Sequence, residues 1–169
     1  MKYIKLFENF EDSIIKIINW EDANQAIPIN SYFKIIDKEF GISWMMKRTR
    51  GTYHADVEPV TAEDTFKMMS CFPKNNSFKE ATFRSVIVEI GLEKLGAALM
   101  GFPHCGSNQT DFGEMTKKLS GGFKNKPNWD SIRDNNVVGH YCLYFNGSIR
   151  HTDKKPEPKA QNAIKSFLT

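Results

Sequence analysis

Two of the four histidines stand beside residue types that suit metal chemistry. His54-Ala-Asp56 falls on a stretch expected to be extended, where side chains two apart share a face, so an imidazole and a carboxylate project to one side like two metal ligands. His140 lies far along the chain at the start of the last apolar segment, where a fold would have to bring it back to the first pair. A different chemistry is open to Cys105, in Pro103-His-Cys-Gly-Ser-Asn108. If a helix follows it, the helix dipole lowers the thiol pKa, and His140 or His151 can act as base. His54, Cys105 and His140 are therefore the candidate catalytic residues. Lys47, Arg48 and Arg50, close to Trp44, form a candidate partner-binding surface, with cations for phosphates and an aromatic ring for stacking. The plain structural alternative is that these histidines are ordinary strand residues and the cations a solvated face.

His54-x-Asp56, then a distal His140, then Arg150, resembles the motif order of the 2-oxoglutarate-dependent iron oxygenases. The resemblance implies His54, Asp56 and His140 as metal ligands, Fe(II) or another divalent metal as cofactor, and Arg150 as the cofactor-binding fork for a 2-oxoglutarate carboxylate. The stretch 61–100, read as mostly helical, departs from the strands that such a fold places between its ligands. Tyr53-His54, after a glycine, also resembles the first NAD-binding strand of ADP-ribosyltransferases, which implies a histidine on the ribose and Tyr141 or Tyr144 stacked on nicotinamide. That family's catalytic glutamate has no position assigned in this chain, so the resemblance stops at one strand.

The elements that must position these residues follow from periodicity. Tyr3, Phe7, Phe10, Ile14 and Ile17 recur at helical spacing and predict an amphipathic helix over 2–19. Ser31 predicts the cap of a second short helix that carries Phe33, Ile35 and Ile36 and ends at Gly41. Ile42, Trp44 and Met46 alternate as a strand does, and a second extended segment after Gly51 predicts a hairpin with it. Thr61 and Asp64 mark a capped helix ending near Cys71. Residues 78–100 fit both periods, and helix is the preferred reading. The stretch 101–136 is rich in Gly, Ser, Asn and Lys and predicts a long functional loop with a short helix near 110–119. Asn146-Gly147 between two apolar runs predicts a type I′ hairpin over 137–152.

The chain has 169 residues, three cysteines far apart and a formal charge of +3, values that fit one folded domain without a disulfide framework. A surplus so small neither demands nor excludes nucleic acid. No apolar run reaches the roughly 20 residues of a membrane-spanning helix. The expected fold class is α+β, with N-terminal helices packed on a small, mainly antiparallel sheet that ends in a C-terminal β-hairpin. Residues 1–153 form that domain, helical over 1–40, and 154–169 add a charged linker and a short C-terminal helical segment.

The opening Met1-Lys-Tyr-Ile-Lys-Leu-Phe-Glu8-Asn-Phe10 resembles the leaders of small accessory and internal proteins of large tailed bacteriophages, and Leu6-Phe7-Glu8 matches their processing pattern. The resemblance implies a phage-encoded accessory protein, located in the host bacterial cytoplasm or packaged in the virion, that binds and modulates a host or anti-phage defence component. A host or defence protein or a nucleotide would be its partner. A small metal-dependent enzyme and an ADP-ribosyltransferase-like enzyme are the alternatives.

Overall fold

Inward-facing apolar residues at every second position build the core. In the computed structural model, which describes residues 14–74, 77 and 79–169, the main strands are β1 (Tyr32–Asp37), β2 (Ser43–Arg50), β3 (Ala55–Pro59), β4 (Phe83–Ile90), β5 (Glu93–Met100) and β8 (Tyr141–Tyr144). They close into an antiparallel barrel in the order β1-β2-β3-β8-β5-β4. Directly opposed residues share a face, and the pairs Phe33/Met46, Ile35/Trp44, Val88/Leu95, Leu99/Leu143 and Ala55/Leu143 carry one buried apolar layer around the ring. Closure leaves this sheet without an unpaired edge. The helices are α1 (Trp20–Ala26), α2 (Ala62–Ser70) and α3 (Pro158–Lys165). Ala23 from the first with Ile27 just after it, and Met68 from the second with Phe72 just after it, complete the interior core.

The expected α+β class is therefore corrected to a β-barrel with three short helices. Residues 2–13 of the expected first helix lie outside the described residues. Its continuation is extended: Lys16 bridges Leu95, and the helix starts only at Trp20, where Asn19 caps the Asp22 amide. Phe33 and Ile35 belong to β1, because burial there alternates strictly, with Asp37 as the next inward residue. The stretch 83–100 is the β4–β5 hairpin, turning at Gly91 with φ +57°. Its β-branched Ser85-Val-Ile-Val-Glu-Ile90 run outweighed the helical spacing. Within 110–119 there is no helix; β6 (Met115–Thr116) pairs with β7 (Lys126–Pro127) instead.

The expected 137–152 hairpin is also overturned. β8 is flanked by β3 and β5, so no place remains beside it for a returning strand. Gly147 alone takes positive φ at the Asn146-Gly147 turn, whereas a type I′ turn needs it at both residues. The chain then leaves the sheet, and the Ile149 amide donates to the Tyr53 carbonyl. The β2–β3 pairing and the α2 capping box of Thr61 and Asp64 agree with the sequence reading. α3 packs outside β4 and β5 through Ala160 and Ile164, over Ala98 and Met100.

Candidate functional site

Apart from Arg48 and Asp37 the barrel interior is apolar, and the candidate site lies on the outer face of β3, β8 and β5. Alternation explains why. Ala55 and Val57 point inward, so His54 and Asp56 point outward; Tyr141 and Leu143 point inward, so His140 and Cys142 point outward. Antiparallel register sets Asp56 directly opposite Cys142, and Ala98 opposite Tyr144. His104 joins by a local ladder: its amide donates to the His140 carbonyl and the His140 amide to its own, both at 3.1 Å, which brings the two rings to 4.4 Å. That approach needs glycine, since a Cβ on Gly106 would lie 2.1 Å from the Gly139 nitrogen.

A bulge supplies the cation. Arg48 pairs with Val57 but Arg50 pairs with Asp56, so the register slips between them and Arg50 moves from the inward row to the outward face. Its Nη1 lies 3.5 Å from Asp56 Oδ2, and its guanidinium covers the Trp129 ring at 4.0 Å. Arg48 stays inside, donating to the carbonyls of Ile27 and Gly51 and to the Asn24 side chain.

The 101–139 segment roofs this face. Asn128 holds it, with Nδ2 donating to the Ser107 and Thr110 carbonyls and Oδ1 accepting from the Ser107 and Asp130 amides. Glu58, the next outward residue of β3, accepts from the amides of Ser131 and Ile132. Burial raises its pKa to about 7 against those amides. Segment 147–157 forms the other wall and contributes His151 and Arg150. Between roof and barrel lies a cavity of about 780 Å³ with Phe83, Met100, Phe123, Trp129 and Tyr144 among its walls, within the usual range of about 300–1,000 Å³ for small-molecule sites.

At its floor, Asp56 Oδ1 is 3.5 Å from His54 Nε2, 3.5 Å from His140 Nε2 and 3.9 Å from His151 Nε2. Cys142 Sγ lies 3.2 Å from His54 Nε2 and 3.6 Å from His104 Nε2. Neither Asp56 oxygen accepts a hydrogen bond, although the side chain is wholly buried. Burial opposes its ionisation, but the imidazoles around it, His140 foremost, hold its pKa below the usual carboxylate range. Burial pushes His54 down to about 4 and His104 to about 3, and lowers His140 too. The Cys142 thiol is pushed well above its ordinary value, by burial first and by the Asp56 charge next. At neutral pH the Asp56 carboxylate thus lies beside neutral His54, His104 and His140 and the protonated Cys142 thiol.

The structure brings His54, Asp56 and His140 together and sets Arg150 on the same cavity. The Arg150 fork is occupied, however, by Asp153 and Glu157. Tyr144 stacks on His54 at 4.4 Å, whereas Tyr141 lies in the barrel core. Cys105 lines the cavity, but no helix follows it and burial pushes its thiol to about 11, the opposite of an activated nucleophile. Trp44 and Arg48 are only 2% and 1% exposed, so neither can meet a partner as the sequence reading expected. Of that expected surface, Lys47 lies over the Tyr32 ring and Arg50 belongs to the cavity. Sequence reasoning missed Cys142, whose signal was present: it stands two residues after His140 on a strand, the spacing that joins His54 to Asp56. It also missed His104 as a partner of His140 and Trp129 as a wall.

No protein-family model matches the chain, and no curated protein or solved structure matches it.

Proposed function

We propose that this protein is a metal-dependent enzyme that holds one divalent transition metal through His54, Asp56 and Cys142, whose ligand atoms lie within 4.8 Å of one another beside His140, and acts on a small organic molecule in the adjoining cavity. The observation that carries the reading is Asp56: a buried, ionised carboxylate that accepts no hydrogen bond and faces imidazole nitrogens and Arg50 Nη1 at 3.5 Å. Such a separation is poor for a hydrogen bond, yet it matches the edge of a coordination tetrahedron, which for bonds of about 2.1 Å is about 3.4 Å. Nitrogen, oxygen and sulfur donors together suit zinc or iron(II) better than magnesium or calcium. Binding of the cation would deprotonate the Cys142 thiol. The metal would act as a Lewis acid on a substrate oxygen or a bound water. His151, the most exposed of the four imidazoles, sits between the cluster and solvent.

The other readings have less support. A Cys142–His54 nucleophile has suitable spacing, but the thiol is held protonated. A 2-oxoglutarate clamp at Arg150 would have to displace two carboxylates. The phage accessory role rests on the first ten residues, outside the described ones. Titration of metal-free protein with Zn²⁺ or Co²⁺, read by calorimetry and cobalt absorption, tests the proposal. One equivalent should bind, and His54→Ala and Asp56→Asn should each weaken binding by at least about 100-fold, more than loss of an outer-shell partner does. No stoichiometric binding, or wild-type affinity in both variants, would overturn it.

A further inference from the structure

Charge around the cavity mouth is unevenly matched. Of the lining carboxylates, Asp153 and Glu157 are consumed by the Arg150 fork, at 2.6 Å and 3.2 Å, and Asp56 lies at the floor. Lys79, Lys126 and Lys159 also line the cavity, and among the described residues none has a carboxylate within ion-pair distance. They are exposed, so they do not build the fold. Lys126 lies on an aromatic wall rather than on an acid, over Phe123 at 5.2 Å, while Arg50 lies over Trp129 at 4.0 Å and reaches Asp56 at 3.5 Å. Phe83, Met100 and Tyr144 add apolar wall to the same cavity, with Tyr144 stacked on His54 at 4.4 Å and Phe83 packed on Tyr144.

From this arrangement we infer that the cavity takes an organic anion, a carboxylate or phosphoryl group carried on an apolar body. The unpaired lysines receive the charge at the mouth and the aromatic walls receive the body. Focusing by low-dielectric walls strengthens that attraction, and the rings cover apolar surface that a free inorganic ion would not offer. The inference rests on the reading of this cavity as a substrate chamber and adds the class of substrate to it.

The test compares benzoate, phenyl phosphate and the neutral benzamide, titrated into metal-free and zinc-loaded protein and followed by calorimetry. Wild-type protein should bind at least one of the two anions about 10-fold or more tightly than benzamide, the effect of one well-placed charge pair at partial screening. Whether benzoate or phenyl phosphate is favoured separates the two anion types. The triple variant Lys79→Gln, Lys126→Gln, Lys159→Gln, all on exposed positions, should lose that preference while retaining benzamide binding. Equal affinity for all three probes, a preference that survives in the triple variant, or no binding of any probe would overturn the inference. A preference seen without metal, in protein that binds no zinc, would sink the metal reading and keep this one. Zinc binding without a preference would do the reverse.

Discussion

Two wholly buried aspartates, one on each side of the barrel wall, show how differently its two faces are built. Asp37 ends the inward row of β1. Its Oδ1 accepts from the amides of Glu39 and Phe40 at 2.9 Å and from Arg84 Nη2 at 2.8 Å, and its Oδ2 accepts from Arg84 Nε at 2.8 Å. Asp56 stands on the outward row of β3, equally buried, and accepts nothing. A satisfied buried acid is a structural element, because its desolvation is offset by the bonds it makes. An acid left unsatisfied among imidazoles stores interaction capacity for something else. The contrast separates the face that folds the chain from the face that the fold presents to a ligand.

The largest effect that would break this comparison is on Asp37. Removing it in Asp37→Ala leaves the Arg84 guanidinium with Glu39 alone, at 2.9 Å, and leaves two amides without their acceptor, and chemical denaturation should show a loss of roughly 3 kcal/mol. Burial alone would raise the Asp37 pKa, but the Arg84 fork and the two amides outweigh it and hold it below the ordinary carboxylate value. A depressed folded-state pKa means that the stabilisation is complete above the carboxylate range and is lost as pH falls through it. The difference in stability between wild type and Asp37→Ala should therefore shrink on acidification below about pH 4, where the unfolded-state carboxylate also protonates. A difference independent of pH would show that the Arg84 fork does not hold the Asp37 carboxylate ionised in the fold.

Gly139→Ala should have an intermediate effect on the outer face. Its φ is +105°, and a Cβ there would stand 2.4 Å from the His104 carbonyl oxygen, so the substitution strains the backbone and pushes His104 from His140. The expected cost is about 1–3 kcal/mol with weakened metal binding. Wild-type metal affinity in a destabilised variant would show that the roof serves the fold and not the site.

Legibility in the sequence followed the same division. Where burial on one face gives clean alternation, as in Ile42-Ser-Trp44-Met-Met46, strand and hairpin were readable, and so was the Thr61 capping box. β4 and β5 were not, because their outer faces are partly covered by α3 and the N-terminal segment, which leaves apolar residues on both faces and blurs the period of two. Barrel closure was illegible, since it depends on β1 meeting β4 and β8 slipping between β3 and β5, pairings with no local signal. In the site, His54-Ala-Asp56 was readable from local spacing. The bulge that turns Arg50 outward and the ladder that brings His104 to His140 arise from long-range register, which no neighbouring residue announces.

The smallest expected effect on stability is the sharpest test of the contrast. Asp56→Asn keeps the shape of a fully buried side chain, and because neither carboxylate oxygen accepts a hydrogen bond, the substitution removes none. What it does remove is the approach of Arg50 Nη1 at 3.5 Å, and the Arg50 side chain is 39% exposed, so solvent screens most of that attraction. The metal-free variant should therefore unfold within about 1 kcal/mol of wild type, in contrast to Asp37→Ala on the other side of the wall. Zinc should stabilise wild type against denaturant in proportion to the logarithm of its concentration, and should leave the variant nearly unchanged at the same concentrations. A large loss in the metal-free variant would make Asp56 a second structural acid, and the two faces of the barrel would then no longer differ in kind.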